Sequence, residues 1–260
     1  MRFDPAAVET AKNMKIMKNM ENMKNMKIME RKNRDGWNLR KALGLYVIPD
    51  RVIGAPLSLE EQTRLALEGG ATAIQLRDKS MDGRELLETA RRMAALCEER
   101  GALFIVNDRL DVALLSGADG VHLGQKDLPV AEARKLAPRP FVVGASAHDA
   151  EEAERAAEEG ADYLGVGAVF ATGSKSDATV MGLTGLRELM GVPMLSRGHG
   201  NRPGNVLPTV AIGGITSENL PEVMRTGVDG VAVISSVVRG DVKERAAALN
   251  RILSDWLNLK

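Results

Sequence analysis

Residues 103–123 have the sequence LFIVNDRLDVALLSGADGVHL, and this stretch decides the fold. Two short apolar runs, 103–106 and 120–123, lie on either side of a helical stretch. Runs without polar alternation are typical of parallel strands that are buried on both faces. Two parallel strands need a crossover connection between them, and this is usually a helix. The stretch therefore predicts one strand–helix–strand unit.

The same alternation continues in both directions along the chain. The predicted strands are Leu45–Ile48, Ala73–Leu76, Leu103–Val106, Gly120–Leu123, Phe141–Gly144, Tyr163–Val166, Thr209–Ile212 and Gly230–Ile234. Helical patterns between or after them include Leu59–Glu68, Gly83–Arg100, Ala150–Glu159, Glu218–Arg225 and Val242–Leu257. Eight such units in series predict an α/β fold, a closed (βα)8 TIM barrel, over residues 41–260. An open doubly wound sheet is the alternative, but no Gly-rich dinucleotide fingerprint follows the first strand.

An internal repeat supports the barrel. The triplets 70–72, 117–119, 160–162 and 227–229 each begin with Gly, and three of them end with Asp. Each Gly is suited to the left-handed residue that ends a helix, and we expect the Asp to turn the chain into the next strand. The triplets precede the second, fourth, sixth and eighth strands, so the period is two βα units.

Composition narrows the class of protein. The 260 residues are 44% hydrophobic, with 35 basic and 35 acidic side chains, so the formal net charge is zero. A balanced charge and only 3% aromatic residues argue against a nucleic-acid partner. No apolar stretch approaches the ~20 residues that span a bilayer, so we expect no membrane partner. The single cysteine, Cys97, rules out an intrachain disulfide and is consistent with a reducing compartment, which predicts a cytoplasmic protein.

Two segments interrupt the pattern. Residues 1–40 contain a run of Met, Asn, Lys and Ile in which Met recurs every third residue from Met14 to Met29. That period is not helical, so we interpret residues 1–40 as a low-complexity extension rather than a partner-binding or metal-binding segment. Residues 194–207 are rich in Gly, Arg and Asn and precede the seventh strand. This position belongs to the amino-terminal face of a barrel, so we expect a surface insertion rather than a phosphate clamp.

The clearest chemical signal follows the second strand. Gln75, Arg77 and Lys79 are spaced by two, so an extended chain places all three on one face. Two cations and an amide that converge at a strand end suit a polyanion such as diphosphate. The alternative is a solvated charge cluster.

Two aspartates follow the third and fourth strands. Asp108 comes after Asn107, and both Asp108 and Asp127 could supply a carboxylate oxygen to Mg²⁺, which usually takes one or two protein carboxylates. The alternatives are a helix N-cap for Asp108 and a turn residue for Asp127. His122 lies within the fourth strand, where we expect a packed, hydrogen-bonded core histidine.

Hydroxyl groups and glycines follow the later strands. Ser146 could bind substrate or cap the next helix, and the loop that contains Thr172, Ser174 and Lys175 could close over a phosphate or be an ordinary flexible loop. The loops after the last two strands, with Gly214 and Ser235, form the usual barrel phosphate site, where backbone N–H groups bind the anion. Together these features predict two anion sites at one barrel mouth, suited to a diphosphate and a monophosphate.

At this point the chain resembles the thiamine-phosphate synthase family over roughly residues 43–252. The motifs, in order, are LYVIPD (45–50), QLRDK (75–79), FIVNDRLDVALLSGADGVHLGQKDLP (104–129), GASAHDAEEAERAAEEGADYLGVGAVFATGSKSDA (144–178), VAIGGITSENL (210–220) and GVDGVAVISS (227–236). The resemblance implies that a pyrimidine diphosphate and a thiazole phosphate condense to thiamine phosphate. It also implies a magnesium cofactor, and a dissociative mechanism in which diphosphate leaves first.

The resemblance also assigns site residues. It implies contacts to the pyrimidine diphosphate from Gln75, Arg77, Lys79, Asn107, Ser146 and Lys175. It implies Mg²⁺ ligands at Asp108 and Asp127, and contacts to the thiazole phosphate from Thr172, Ser174, Gly214, Ile234 and Ser235. Arg77, Lys79 and Lys175 are the expected catalytic cations. Ala168 and Ala171 stand where the family commonly has proline, so we expect a looser loop after the sixth strand.

Two other functions stay open at the sequence level. A thiazole tautomerase shares the fold but needs a proton-shuttling side chain instead of the aspartate pair and Lys175. A phosphate-binding sensor would bind these ligands without turnover. The sequence leaves open whether the chain forms a homo-oligomer.

Overall fold

The computed structural model describes residues 38–173, 180–193, 195 and 206–258. Eight parallel strands follow one another around a closed barrel in chain order, with β1 paired to both β2 and β8. The pairing of β1 with β8 excludes an open doubly wound sheet and confirms the predicted TIM barrel. The strands are β1 (Leu45–Val47), β2 (Ala73–Leu76), β3 (Leu103–Asn107), β4 (Gly120–Leu123), β5 (Val142–Ala147), β6 (Tyr163–Gly167), β7 (Thr209–Ile212) and β8 (Gly230–Val233).

Helices alternate with these strands. They are α1 (Leu39–Ala42), α2 (Leu59–Glu68), α3 (Gly83–Arg100), α4 (Leu110–Ser116), α5 (Val130–Leu136), α6 (Ala150–Glu158), α7 (Gly182–Met190), α8 (Leu220–Met224), α9 (Ser235–Val238) and α10 (Val242–Asn258). Side-chain caps satisfy N–H groups in the first turn of several helices. Ser58 accepts from the Glu61 N–H, and Asp82 accepts from the N–H groups of Arg84 and Glu85. Among the described residues, no helix is both long enough and apolar enough to cross a membrane.

The core has two layers, because neighbouring strand residues point to opposite faces of the sheet. On β1, Leu45 and Val47 pack outward against the helices, whereas Tyr46 packs into the barrel. The interior layer is small and includes aliphatic residues from most strands: Ala73, Leu103, Ile105, Val142, Val210 and Ala232. The larger outer layer holds most of the buried apolar side chains and joins the helices to the sheet.

The four sequence triplets form reciprocal pairs at the amino-terminal rim of the barrel. The backbone N–H of Asp119 donates to the Phe104 carbonyl at 2.8 Å, and its carboxylate accepts the Phe104 N–H at 2.8 Å. The other three pairs have the same pattern: Thr72 with Leu45, Asp162 with Val143, and Asp229 with Thr209. Each triplet glycine has a positive φ, as expected. The acidic side chains therefore fasten the preceding strand, a role beyond the chain turn that we expected.

Several predicted boundaries differ from the structure by one to three residues, and two of these differences affect the site. The fifth strand runs over Val142–Ala147 instead of Phe141–Gly144, so Ser146 lies within the strand. The eighth strand ends at Val233, and Ser235 begins a short helix. The short helix brings the first N–H groups of α9 to the barrel mouth, and such groups have no acceptor within their own helix.

The two segments that interrupt the sequence pattern are described only in part. Most of residues 1–40 and 194–207 lie outside the described residues, so their interpretation stays a prediction. At the described edges, Arg40 on α1 makes an ion pair with Asp229 and donates to the Val206 carbonyl. Leu195 is buried.

Candidate active site

A cavity of about 560 Å³ opens at the carboxyl-terminal ends of the strands. This is where a TIM barrel holds its active site. All the predicted site residues that the structure describes line it: Gln75, Arg77, Lys79, Asn107, Asp108, Asp127, Ser146, Thr172, Gly214, Ile234 and Ser235. Ser174 and Lys175 lie outside the described residues. The loops of six different strands therefore meet at one cavity.

The residues after β2 alternate as their spacing predicts. Gln75, Arg77 and Lys79 all line the cavity. The intervening Asp78 does not line it, and its carboxylate instead accepts from the backbone N–H groups of Ser80 and Met81. Partial burial acts to raise the pKa of Asp78, but the hydrogen bonds from the Ser80 hydroxyl and from these backbone N–H groups, together with Arg51, lower it overall, so Asp78 holds the loop while its neighbours reach the cavity.

Asp108 and Asp127 form a carboxylate pair in the cavity wall. Burial first, and then the hydrogen bond and negative charge of Asp127, raise the pKa of Asp108 to about 6. Lys79 Nζ lies 4.0 Å from a carboxylate oxygen of Asp108, and this cation acts in the opposite direction on the same pKa. Two carboxylates therefore share one partly buried site with a lysine at its edge.

The structure excludes the alternative role of Asp108 and supports the alternative role of Asp127. Asp108 is not a helix cap, because the N-cap of α4 is Arg109 and makes no side-chain cap bond. Asp127 does have the turn role, since its carboxylate accepts the Gly124 N–H at 2.7 Å. That bond also fixes the direction of the Asp127 side chain within the cavity.

The chemistry of this pair is compatible with Mg²⁺. The described residues contain no group of three or more His, Cys, Asp or Glu side chains placed to hold a metal. Mg²⁺ does not require one, because it binds through one or two carboxylates and fills its octahedron with water and substrate phosphate oxygens. The negative charge of Asp127 helps to raise the pKa of Asp108. A cation bound by the two carboxylates would relieve this repulsion.

The loops after β6 and β7 pack backbone to backbone beside the cavity. A Cβ at Gly214 would lie 2.8 Å from the Ala171 carbonyl oxygen, and a Cβ at Gly213 would lie 2.7 Å from the Ala168 Cβ. Both glycines also have positive φ values, so no other residue suits these two positions. The close approach places Thr172 and Gly214 on the same side of the cavity.

Several lining residues were not identified from the sequence. Arg239 and Arg245 add two cations near Ser235. Arg239 follows α9 and Arg245 lies in α10, so neither stands at the end of a strand, where site residues of a barrel are expected. Tyr46 and Tyr163 line the cavity floor from inside the barrel, where aliphatic residues are usual. His122 is hydrogen-bonded, as expected for a core histidine, but it also lines the cavity.

Ser146 and His148 have different positions at the end of β5. Ser146 does not cap the next helix, because Asp149 is the N-cap of α6. Its hydroxyl lies 3.0 Å from Nε2 of His122. The backbone N–H and Nδ1 of His148 are each 2.8 Å from the Glu152 carboxylate at the start of α6.

The barrel is closed, and its strand ends direct an aspartate pair, several cations and glycine-bearing loops into one cavity. These features define the class of protein as a (βα)8-barrel enzyme. Comparison with known proteins makes this specific. A family model described as "Thiamine monophosphate synthase" matches residues 45–237. The chain belongs to the thiamine monophosphate synthase family.

Individual relatives agree with this assignment. A thiamine-phosphate synthase of Coprothermobacter proteolyticus is 48% identical over 216 residues, which is 83% of this chain and 97% of the relative. One from Methanoculleus marisnigri is 50% identical over 207 residues, covering 79% of this chain and 92% of the relative. The solved thiamine phosphate pyrophosphorylase of Pyrococcus furiosus is 45% identical, with a TM-score of 0.74 over 85% of this chain and 100% of that one.

Proposed function

We propose that this chain is an alkyl transferase of thiamine biosynthesis. It joins 4-amino-2-methyl-5-hydroxymethylpyrimidine diphosphate to a thiazole phosphate and releases thiamine phosphate and diphosphate. The proposal rests on family membership and on one geometric observation. Residues that the family resemblance assigns to the pyrimidine diphosphate, to the metal and to the thiazole phosphate line the same cavity.

The reaction exchanges one bond for another at the pyrimidine methylene carbon. The bond from this carbon to the diphosphate oxygen breaks, and its electron pair leaves with the diphosphate. The lone pair of the thiazole nitrogen then forms the new C–N bond. No proton moves in this exchange, so the cavity needs cations for the leaving group and does not need a general base.

The residues after β2 are placed for the leaving group. Arg77 can give a bidentate pair of hydrogen bonds to a diphosphate, and Lys79 adds a compact charge beside Asp108. Mg²⁺ held by Asp108 and Asp127 would neutralise further charge on the departing diphosphate. Lys175, which lies outside the described residues, is proposed as a third cation on this side.

The opposite side of the cavity suits the monophosphate. Gly214 after β7 lines this side of the cavity in a left-handed conformation packed on the Ala171 carbonyl, and Ser235 offers a hydroxyl at the start of α9. The first N–H groups of a helix are unpaired within it and attract phosphate. The two anions would then lie at opposite sides of one cavity, with the reacting carbon and nitrogen between them.

A decisive assay incubates the full-length protein with both substrates, with and without Mg²⁺, and measures thiamine phosphate. We expect Mg²⁺-dependent product. We expect Asp108→Asn and Asp127→Asn each to lower kcat by about 10²-fold or more, because charge on the leaving group loses its counterion. Asp111→Asn is the matched control, since Asp111 is an exposed carboxylate on α4 that pairs with Arg109 outside the cavity.

Each contrary outcome has a defined meaning. Absence of thiamine phosphate with and without Mg²⁺ would reject the synthase. Binding of both substrates without turnover would favour a sensor. If either aspartate variant kept full Mg²⁺-dependent turnover, its assignment as a metal ligand would be wrong.

A further inference from the structure

A chain of hydrogen bonds crosses the barrel interior beneath the candidate active site. The amide nitrogen of Gln75 donates to the Tyr46 hydroxyl at 2.9 Å, and the hydroxyls of Tyr46 and Tyr163 are 3.2 Å apart. The Tyr163 hydroxyl lies 3.1 Å from Nδ1 of His122, whose Nε2 lies 3.0 Å from Oγ of Ser146. Five residues from five strands are thereby linked, and the chain ends at a hydroxyl in the cavity wall.

Two glycines in the strands make room for these hydrogen-bonded side chains inside the barrel. A Cβ at Gly144 would lie 2.2 Å from Cζ of Tyr163, and a Cβ at Gly165 would lie 2.9 Å from Cε1 of His122. Glycine within a strand weakens it and often marks a close approach. Barrel interiors are normally filled by Val, Ile and Leu. The two strand glycines therefore mark the places where the rings of Tyr163 and His122 approach the neighbouring backbone.

The hydrogen-bond donors set a direction along the chain. Burial raises the pKa of Tyr46 and of Tyr163 above the usual phenol value, so each phenol keeps its single proton. Because Tyr46 accepts from Gln75, Tyr163 is the described partner that is left for the Tyr46 proton. In that arrangement the Tyr163 proton points to Nδ1 of His122, which accepts it.

This direction determines the tautomer of the imidazole. A neutral histidine that accepts at Nδ1 carries its proton on Nε2. Nε2 then donates to Ser146 Oγ, and the serine keeps its own proton for another acceptor. In the reverse direction Ser146 would donate to His122 and present only lone pairs, which would repel a phosphate oxygen.

We propose that His122, held by Tyr163 as its Nε2–H tautomer, is a positioning residue that fixes Ser146 as a hydrogen-bond donor to the leaving diphosphate. The proposal rests on the proposed function and adds residues that act behind the substrate contacts. Because the donor acts on charge that develops as the diphosphate leaves, its loss lowers kcat and changes KM little.

Kinetic measurements on single variants test each hydrogen bond of this series in turn. We expect His122→Phe to lower kcat by about 10²-fold and Tyr163→Phe by about tenfold, each with less than about a threefold change in KM for the pyrimidine diphosphate. Tyr46→Phe removes a more distant hydroxyl and has the smallest effect. His122→Gln keeps an N–H group near the Nε2 position and restores part of the activity. The control, Thr63→Val, removes a buried hydroxyl on α2 that donates to the Leu59 carbonyl of the same helix and lies outside the cavity, so kcat is unchanged.

A double variant separates positioning from general packing. If His122 acts through Ser146, adding His122→Phe to Ser146→Ala lowers kcat by less than about twofold more. Multiplicative losses in the double variant would overturn the proposal. So would a His122→Phe variant with the wild-type kcat.

A spectroscopic measurement tests the tautomer without turnover. The side-chain ¹⁵N resonances of His122, assigned with the His122→Gln variant among the three histidines of the chain, should show protonated Nε2 and unprotonated Nδ1 in the free protein. The opposite tautomer would overturn the proposal even in an active enzyme. The expected tautomer in a protein that makes no thiamine phosphate would instead count against the proposed function.

Discussion

Asp108 combines backbone geometry, burial and charge at one position. It is the one described residue other than glycine with a positive φ, 61°, and this left-handed conformation costs roughly 1–2 kcal/mol for an ordinary L-residue. Its backbone N–H donates to the His122 carbonyl at 2.9 Å, which ties the turn to β4. The chain therefore holds a half-buried carboxylate in a left-handed turn beside Asp127, and a carboxylate with a raised pKa in a cavity is typical of functional sites.

The pH dependence of Mg²⁺ binding follows from this pair. The folded pKa of Asp108, about 6, is above its usual value of 3.8, so the metal-free folded state binds the proton more tightly than the unfolded chain. The contribution of Asp108 to the free energy of unfolding therefore falls as the pH rises through this window. At the proposed site Mg²⁺ would bind the ionised pair, so we expect it to raise Tm more at one pH unit above the pKa than at one unit below.

Thermal unfolding with and without Mg²⁺ measures this difference. Asp127→Asn is the matched variant, and we expect the Mg²⁺-dependent shift in Tm to disappear at both pH values. Equal shifts in the wild-type protein at both pH values would show that Mg²⁺ does not bind at this pair.

At the residue scale, local spacing was the most useful signal. Gln75, Arg77 and Lys79 could be predicted to share one face because an extended chain has a period of two. The contact between Tyr46 and Tyr163 spans 117 positions, and no local pattern marks it. The raised pKa of Asp108 depends in the same way on a residue from another loop, so only the folded chain shows it.

At the element scale, the reciprocal pairs explain how the strand beginnings are fastened. Each pair satisfies the N–H and the carbonyl of one buried strand residue, which would otherwise lack these partners near the beginning of the strand. The carboxylate of Asp119 is almost completely buried, so the hydrogen bond that it accepts is shielded from water. These acidic side chains therefore contribute to stability and lie far along the strand from the cavity.

Replacement of Asp119 tests this role. Asp119→Leu leaves the buried Phe104 N–H without its side-chain acceptor, so we expect it to lower the free energy of unfolding by about 1–3 kcal/mol. Asp119→Asn retains an acceptor oxygen and should cost less. Urea unfolding of the two variants gives the comparison, and equal losses would show that the hydrogen bond is not the cause.

The strands were easier to predict than the short helices. Ala73–Leu76, Gly120–Leu123 and Thr209–Ile212 were predicted with the observed bounds, because each is a short, mostly apolar run of the kind that buried parallel strands form. The short helix Ser235–Val238 was not predicted: the predicted eighth strand ran to Ile234, and Ser235 was placed in the loop that follows it. Its helical conformation follows from packing at the barrel mouth, which the local sequence does not encode.

At the scale of the whole molecule, the barrel is closed in two places. Leu45, Tyr46 and Val47 on β1 pair with Val231, Ala232 and Val233 on β8. Outside the sheet, α10 packs on α2, where a Cβ at Gly69 would lie 2.5 Å from the Lys243 carbonyl oxygen. The order of eight units predicted this closure, but the glycine contact between the first and last units could not be predicted from either segment alone.

Closure predicts a single cooperative unfolding transition. With Trp37 replaced by Phe, Trp256 on α10 is the remaining tryptophan and reports on the last helix. We expect its fluorescence and the far-UV circular dichroism to change at the same urea concentration. Gly69→Ala should lower the free energy of unfolding by about 1–3 kcal/mol through overpacking against α10.

Gly83→Ala is the matched control, because a Cβ at Gly83 would meet only the Arg109 guanidinium, at 3.8 Å. An early fluorescence transition, before the loss of circular dichroism, would show that α10 detaches from a barrel that is still folded.

The pairs formed by Thr72, Asp119, Asp162 and Asp229 lie at one rim of the barrel, and the residues proposed to bind substrates lie toward the other. Evolutionary change in the loops that confer specificity therefore leaves these junctions intact. A protein that evolves from this fold can therefore change its substrate-binding loops without a second substitution that restores stability.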